Sequence, residues 1–412
     1  MTDSVALATT RRWPPYFTVV GLCFAAAFIS YIDRTNISVA AIAMKEQFNW
    51  TETTKGLVLS SFFVGYLLLQ IVSGTLANRY GGKLVLGTAV VWWSVFTAIT
   101  PAAALISLPV LLGARVGLGL GEAAMFPAAI NMVGRWVPTA ARSRAVAAIA
   151  SGLALGTVVS LPLTGWLVRR YGWPLPFYLF GAAGVLWATA WFTLVGNGRA
   201  VEAEAAADRA IPWRKVVATP AVWAIVVNHF CHNWSLYLFI AWLPSYFKAT
   251  FNLSLASAGL YSALPWLASF LMTNVVGSIA DGLLGRGWNP TFVRKLMQTI
   301  GLLGSATFLL LLRNPGSVAA ALALMCGATG ALAFCLGGFA PNSFDIAPRC
   351  ADVIWGISNT FATVPGIVGV VVTGWLVERT GSYAAPFLLT ASVSGVGALV
   401  YLGFASGRRL ID

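Results

Sequence analysis

Charged residues stand inside long apolar stretches of this 412-residue chain. Asp33 and Arg34 are adjacent in the segment YIDRTN, between AAAFIS and ISVAAIA. A second pair, Arg115 and Glu122, lies in ARVGLGLGEAAMFP. A charge at the centre of a membrane helix costs about 2.5–3.5 kcal/mol on insertion scales, so such residues usually carry a function. Neighbouring helical residues point about 100° apart, so Asp33 and Arg34 each need another partner. A spacing of seven puts Arg115 and Glu122 on one helix face with Gly119 between them, where glycine allows close helix approach.

These side chains could bind an anion and exchange protons. Arg34 is a permanent cation whose planar fork suits a carboxylate or a phosphate. A carboxyl group in a low dielectric accepts a proton more readily than one in water, so Asp33 and Glu122 could take up and release protons. Arg115 completes a set of two cations and two acids that can neutralise one another in a central cavity. The alternative is a static ion network that serves only the fold.

Several other side chains could serve either packing or function. His229 and His232 share a helix face in NHFCHNW and either pack in the core or contact a substrate or proton. No metal is expected, because no further Cys, His or acidic cluster accompanies them. Tyr31 and Tyr66 are either packing aromatics or cavity-lining residues. The segment GLGLGE lies within an apolar stretch and is no nucleotide fingerprint.

The elements that position these residues are predicted to be membrane helices. The chain is 58% hydrophobic and 9% charged, against about 25% charged in a soluble domain. Apolar runs of about 20 residues, long enough to cross a bilayer, recur from end to end without the period of two that a barrel requires. The composition therefore predicts an all-α polytopic membrane protein. The twelve predicted spans are 17–39, 55–77, 84–104, 108–134, 142–168, 176–195, 221–247, 256–280, 295–312, 317–339, 351–377 and 386–405.

The two halves of the chain repeat each other. TGWLV occurs at 164–168 and again at 373–377, and SGTLANRYGGK at 73–83 matches GSIADGLLGRG at 277–287 at a similar offset. Two pseudo-symmetric six-helix halves are typical of duplicated transporters. The predicted units are an N-terminal bundle over 1–195, a cytoplasmic linker over 196–219 and a C-terminal bundle over 220–412.

The net charge of +13 might suggest nucleic acid, but its distribution indicates a membrane topology instead. Lys and Arg concentrate in the two tails and the even-numbered connections, which predicts that both termini are cytoplasmic. Arg169 and Arg170 are the exception, on the predicted outer side. The five Cys residues lie in or beside spans and form no disulfide framework. We expect the lipid bilayer, and no nucleic acid, as a partner.

Several segments resemble the major facilitator superfamily over essentially the whole chain. GTLANRYGGK is similar to its signature G-x-x-x-D-R-x-G-x-[KR] between spans two and three, and ARVGLGLG is similar to its span-four motif. Further stretches resemble the anion:cation symporter branch, which holds bacterial sugar-acid, plant phosphate-type, and animal sialic acid and vesicular glutamate transporters. These stretches are YIDRTNISVA with SSFFVGYLLLQI, RWVPTAARSR, and NSFDIAPRCADVIWGISNTFATVPGIVG.

The resemblance implies roles for individual residues. Arg34 would bind the anionic group of the substrate, and Asp33 and Glu122 would be the proton sites, with Arg115 beside them. The further substrate contacts implied are Tyr31, Tyr66 and Asn359, to which we add His232. The implied gating residues are Gly74, Asn78, Arg79, Gly81 and Lys83, with Asp281 in the second half.

The sequence departs from the family pattern at three places. Asn78 stands where the signature has Asp, so the corresponding latch is expected to be weaker or made differently, although Asp281 keeps the acid in the second half. The segment ARSR at 141–144 lacks the Glu of the branch. His232 stands where glutamate carriers have Arg and sialic acid carriers have Tyr, which argues against dicarboxylate transport by the glutamate-carrier scheme.

We therefore expect a monomeric secondary transporter of the cell membrane that moves a small organic anion, a carboxylate or a sugar acid, by proton symport without a cofactor. One alternative is transport of phosphate or another inorganic anion, coupled to sodium or operating by exchange. Another is a non-transporting membrane sensor on the same fold, for which no soluble sensory domain is visible. An enzyme is disfavoured because no nucleophile–base constellation, cofactor motif or P-loop is found.

Overall fold

The computed structural model describes residues 15–196 and 211–411. Within those ranges the chain forms α-helices, one short 3-10 turn at Thr139–Ala141, and no strand. The helices are α1 (Pro15–Phe48), α2 (Glu52–Tyr80), α3 (Gly82–Ile106), α4 (Leu108–Glu122), α5 (Met125–Trp136), α6 (Arg142–Tyr171), α7 (Pro174–Leu194), α8 (Trp213–Ala218), α9 (Pro220–Phe251), α10 (Leu255–Gly285), α11 (Pro290–Leu311), α12 (Val318–Leu332), α13 (Cys335–Ile346), α14 (Ala351–Thr380) and α15 (Ala384–Phe404).

The predicted all-α polytopic fold is confirmed. Taking α4 with α5 and α12 with α13 as one segment each, the helices other than the short α8 group into twelve segments, which is consistent with the twelve crossings expected. In the described part of the chain, nine spans are long and apolar enough to cross a membrane by length and composition, or ten if the bent α2 is included. The chain is thus a multi-pass membrane protein.

Two predicted spans differ from the structure in one respect. The stretches 108–134 and 317–339 were expected to be continuous, but each is interrupted near its middle, after Glu122 and after Leu332. In the first case Pro127 lies in the first turn of α5, and its missing N–H cannot bond a carbonyl of the preceding turn. The break places Glu122 at the very end of α4.

Four helices begin on a hydroxyl cap at matching places in the two halves. Thr51 and Ser254 cap α2 and α10, and Ser107 and Ser317 cap α4 and α12. Each side-chain oxygen accepts a hydrogen bond from the backbone N–H three residues later, which satisfies a donor that the helix leaves free. All four caps lie at the ends of the crossings that are remote from the chain termini.

We call helices α1–α7 the first group and α9–α15 the second group. The termini face is the side where α1 begins and α15 ends, and the other side is the opposite face. The two groups pack most extensively through α2 against α14 and through α6 against α10. Glycines permit this: a methyl group on Gly165 would lie only 2.6 Å from the Leu255 carbonyl oxygen, and one on Gly259 would overlap the Leu161 carbonyl.

Most polar contacts between the groups lie toward the opposite face, whereas the Thr363 hydroxyl of α14 donates to Gln70 Oε1 of α2 at 3.1 Å, near the middle of both helices. Thr53 donates through its backbone N–H (2.9 Å) and its hydroxyl (2.5 Å) to Glu378, and Lys248 pairs with Glu46. At the termini face, the end of α2 is exposed, as is Asp281 on α10. The molecule is therefore closed at the opposite face.

The division into 1–195, 196–219 and 220–412 stays a prediction, since residues 197–210 lie outside the described part of the chain.

Candidate functional site

Arg34 and Glu122 form a buried ion pair between α1 and α4. The Arg34 Nη2 atom lies 2.9 Å and its Nε atom 3.3 Å from Glu122 Oε2. The Ser30 hydroxyl donates to the same oxygen at 2.9 Å. Arg34 is 8% exposed and Glu122 is 1% exposed. Glu122 is thus one of the partners that the sequence required for Arg34, and it uses one carboxylate oxygen while Oε1 has no hydrogen-bond partner in the described part of the chain.

Asp33 and Arg115 complete the charged cluster without a close pairing of their own. Both are fully buried. Asp33 lies within electrostatic range of Arg115 and Glu122. The Thr97 hydroxyl of α3 is the hydrogen-bonding neighbour of the Asp33 carboxyl. Among the residues that the structure describes, neither Nε nor Nη1 of Arg115 has a hydrogen-bond partner. Two cations and two acids sum to zero formal charge, and Arg34–Glu122 is the direct ion pair that the structure describes among them.

Close packing of α4 on α2 brings the charges against aromatic rings. A methyl group on Gly119 would overlap the Phe62 carbonyl oxygen, and one on Gly65 would overlap the Val116 carbonyl oxygen. The glycine expected to allow close helix approach therefore does so. The contact puts Glu122, one turn beyond Gly119, next to the α2 residues that face Arg34.

Three aromatic rings surround the Arg34 guanidinium. Its Cζ atom lies 4.7 Å from the Tyr31 ring centroid, 4.7 Å from that of Phe62 and 4.9 Å from that of Tyr66. Each ring face attracts the cation, more strongly when water is excluded. The sequence predicted Tyr31 and Tyr66, but Phe62 was missed. Its signal was its place four residues before Tyr66, on the same face of α2.

A small cavity extends from Arg34 toward the opposite face, between the two groups. Arg34, Ser38 and Arg115 provide its polar lining, and α9 contributes Ile240 and Ala241. Tyr237, one turn earlier on α9, packs its ring 4.4 Å from that of Phe63 and receives a hydrogen bond from Asn233 at 3.4 Å. Tyr237 was not predicted, because nothing in the sequence says which face of α9 meets the first group.

The two predicted histidines of the second group lie together, apart from the charged cluster. His229 and His232 both contact the Phe339 ring, at 4.7 Å and 5.6 Å between centroids, so they share a face as expected. His229 is also bonded to the Ser358 hydroxyl at 3.1 Å, whereas His232 Nδ1 is buried with no partner in the described ranges. Asn359 is partly buried on α14. No described contact joins His232 or Asn359 to Arg34.

The predicted gating loop is held by amides rather than by an acid. Gly81 adopts φ +86° at the turn from α2 to α3, a region that favours glycine. Asn131 on α5 donates to Asn78 Oδ1 at 3.1 Å and accepts from the Gly82 N–H at 3.0 Å. Asn78 therefore keeps the acceptor oxygen of the signature Asp without its charge. The remaining gating residues, Gly74, Arg79, Lys83 and Asp281, lie on α2, α3 and α10.

Residues 23–370 of this sequence match the Major Facilitator Superfamily. The chain belongs to this superfamily. It is 38% identical over its whole length to the sodium-dependent phosphate transport protein 1, chloroplastic, of Arabidopsis thaliana, of which it covers 83%. It is 38% identical over 98% of its length to the ascorbate transporter, chloroplastic, of the same plant, covering 77% of it.

Sialin of Homo sapiens is 32% identical over 94% of the chain, which covers 88% of sialin. These relatives place the chain among the anion transporters of the superfamily, as the sequence motifs indicated.

Solved superfamily structures share the fold. A bacterial homolog to the human lysosomal transporter Spinster, in an inward-facing and occupied conformation, superposes with a TM-score of 0.81 at 19% identity, covering 95% of this chain and 97% of that one. The D-xylose-proton symporter gives 0.77 at 15% identity, covering 96% of this chain and 100% of that one.

Proposed function

We propose that this superfamily member is a secondary active transporter that moves a small organic anion by proton symport, through alternating access of one central site. The observation that carries the proposal is the Arg34–Glu122 pair, enclosed by aromatic rings, with the buried Asp33 in the same cluster. This arrangement joins a permanent cation to two groups that can change charge.

Proton uptake and anion binding are coupled through Arg34. While Glu122 is ionised, it occupies the guanidinium and opposes the approach of a second anion. A proton on Glu122 removes that charge and leaves Arg34 free to bind a substrate carboxylate. By linkage, the bound anion must then favour the protonated acid by the same factor, typically 1–3 kcal/mol of coupling. Asp33, adjacent to Arg34 along the chain, offers a second proton site.

The surroundings of Arg34 favour an organic anion. Phe62 and Leu59 present apolar surface to the cavity, and Tyr31 and Tyr66 add ring faces with hydroxyl groups beside the cation. Such a lining suits a carbon skeleton that bears one anionic group. The relative named as an ascorbate transporter agrees with this substrate class. The relative named as a sodium-dependent phosphate transport protein supports the second candidate, an inorganic anion coupled to sodium.

Uptake into proteoliposomes distinguishes the candidates. The purified chain would be reconstituted and offered a labelled sugar acid, ascorbate, sialic acid and phosphate, each with a proton gradient, a sodium gradient or neither. We expect accumulation of an organic anion that needs an acidic exterior, is abolished by a protonophore and is absent from Arg34→Ala vesicles. Accumulation of phosphate alone, or dependence on sodium at constant pH, would replace this proposal by the second candidate.

We also propose that the protein is a monomer in the cell membrane with both termini in the cytoplasm. The support is the excess of Lys and Arg in the tails and the even-numbered connections. On this orientation the closed opposite face is the outer one. Protease or reagent access to a C-terminal tag in intact cells and in lysed cells tests the topology.

A further inference from the structure

Lys55 is a buried lysine that the central site does not use. It lies in the first turn of α2, near the opposite face, and is 2% exposed. Its Nζ atom lies 2.6 Å from Glu52 Oε2, donates to the Ser245 hydroxyl at 3.1 Å and lies 4.6 Å from the Trp242 ring centroid. We call Glu52, Lys55, Trp242 and Ser245 the Lys55 network.

The Lys55 network joins the two groups of helices. Glu52 and Lys55 belong to α2, whereas Trp242 and Ser245 belong to α9. The Trp242 indole is itself fixed by a hydrogen bond from Nε1 to the Val370 carbonyl of α14, at 3.1 Å. The network therefore ties one helix of the first group to two helices of the second.

Glycines let the helices close around the Trp242 ring. A methyl group on Gly56 of α2 would lie 3.4 Å from Trp242 Cζ2, and one on Gly374 of α14 would lie 3.0 Å from the same atom. The second methyl group would also overlap the Glu52 carbonyl. On the side of the second group, Lys55 is thus buried against a closely packed Trp242 ring.

We propose that the Lys55 network is the lock that holds the opposite face closed, and that the interactions of the Lys55 ammonium with the second group set how often this face opens. Separating the groups breaks the Ser245 hydrogen bond and the Trp242 contact, while Glu52 stays with Lys55 on α2. In the open conformation water replaces these two partners of the Lys55 ammonium. The equilibrium between the closed and open conformations therefore depends on how strongly Ser245 and Trp242 bind the ammonium. The proposal rests on the proposed alternating access only in requiring that the groups can separate.

Other charges near this face are less suited to the role. Lys45 pairs with Glu52 at 2.7 Å, but both belong to the first group. Lys248 and Glu46 join the groups, yet Glu46 is exposed, and exposed pairs contribute little because solvent screens them. Lys45 and Lys248 lie within electrostatic range of Lys55 and oppose its charge, and Glu52 is the acid that pairs with both Lys45 and Lys55.

Distances between spin labels test the lock in the full chain. Labels on Arg170→Cys of α6 and Thr250→Cys of α9, both exposed near the opposite face, would be measured by pulsed electron paramagnetic resonance in lipid nanodiscs. We expect Lys55→Met to raise the ratio of open to closed molecules about three- to tenfold, the size of one or two lost hydrogen-bond-like contacts. Ser245→Ala should shift the ratio in the same direction by less.

Lys45→Met is the matched control, because it removes a neighbouring lysine from the same Glu52 without touching the second group. Its ratio should stay within about twofold of the parent, a change smaller than one hydrogen bond supplies. The proposal would be overturned if Lys45→Met and Lys55→Met changed the ratio of open to closed molecules equally. It would also be overturned if both Lys55→Met and Ser245→Ala left that ratio unchanged. If Lys55→Met does not fold, Ser245→Ala alone decides. No substrate is present, so the result is independent of whether the protein couples organic anions to protons.

Discussion

Arg34 is held by two kinds of partner at once, a carboxylate at 2.9 Å and three ring faces within 5 Å. The sequence predicted that the buried charges would gather and that Tyr31 and Tyr66 would join them. It did not say which acid pairs with which arginine, because that depends on how each helix is rotated about its axis. Phe62 was missed for the same reason, since an apolar ring on a membrane helix gives no sign of whether it faces lipid or a cation.

Replacing Arg34 should abolish substrate binding. Arg34→Ala removes the cation, and Arg34→Lys keeps the charge but loses the planar fork that can hold a carboxylate through two bonds. We expect no measurable binding in Arg34→Ala, since one lost hydrogen bond to a charged group alone weakens affinity by about 10- to 100-fold, and a clear loss of affinity in Arg34→Lys. Calorimetric titration of the purified protein measures this.

Folding must be separated from binding in that experiment, because Arg34→Ala strands Glu122 in the membrane. The double variant Arg34→Ala/Glu122→Gln removes the stranded charge and should melt close to the parent while still failing to bind. Near-normal affinity in either variant that lacks Arg34 would remove this residue from the substrate site.

Glu122→Gln and Asp33→Asn should lose uptake driven by a pH gradient. Each amide imitates the protonated acid permanently, so the charge change that couples the proton to the anion is gone. At least one of the two variants should keep substrate binding or exchange of internal for external substrate, because Arg34 is intact. Counterflow and gradient-driven uptake, measured on the same vesicles, separate the two activities. Accumulation against a gradient by both variants would assign proton coupling to other residues.

His232→Arg should favour anions of higher charge. The His232 ring packs on Phe339, and its Nδ1 atom is buried without a partner in the part of α9 and its neighbours that the structure describes. A guanidinium there adds a second cation on the side of the second group. Competition between a monoanion and a dianion of similar size measures the change, and an unaltered ratio would make His232 a packing residue only.

At the scale of elements, the packing of α2 on α4 brings the Arg34–Glu122 pair into contact with the aromatic rings of α2. Gly65 and Gly119 bring the two backbones into contact, and the break after Glu122 ends α4 at the carboxylate. The sequence predicted the close approach at Gly119, since glycine beside buried charges indicates helix contact. It did not predict the break, because the stretch stays apolar on both sides of Pro127 and therefore predicts one span.

Gly119→Ala should separate α2 from α4, because the added methyl group overlaps the Phe62 carbonyl, which cannot move aside independently of its helix. Overpacking of this kind costs about 1–3 kcal/mol, so we expect a lower melting temperature and weaker substrate binding. Gly113→Ala is the matched control on the same helix, where an added methyl group meets nothing within 4 Å. Equal melting temperatures for the two variants would show that the contact is more tolerant than the structure implies.

At the scale of the molecule, a set of polar contacts joins the two groups at the opposite face. The repeated segments predicted a duplicated transporter, and family and fold bear this out. The sequence did not predict that the opposite face is closed. Lys55 could be counted as a charge at the start of span two, but its burial comes from Trp242 and Ser245, nearly 190 residues away along the chain. Contacts between the two groups of helices join residues far apart in the sequence, so the local periodicity of one helix does not reveal them.

A covalent link across the closed face should stop transport. Thr53→Cys and Glu378→Cys replace two side chains that are hydrogen-bonded between α2 and α14, and oxidation should join them. We expect uptake to fall to background and to return after reduction, because the linked face can no longer open. A Thr51→Cys/Thr54→Cys pair within the first turn of α2 is the control and should transport equally well before and after oxidation. Undiminished uptake by the linked protein would contradict alternating access through this face.

Glu122 acts on Arg34 as a tethered competitor. It is fixed to the same folded chain, so its effective concentration at the guanidinium exceeds that of an anion free in solution. A substrate must displace this resident carboxylate, which lowers its apparent affinity and speeds its release, both useful to a carrier that must let go of its cargo. An inhibitor has no such need. A compound that offers a carboxylate to Arg34 and a hydrogen-bond donor to Glu122 would occupy both partners together and should outlast any transported anion in the site.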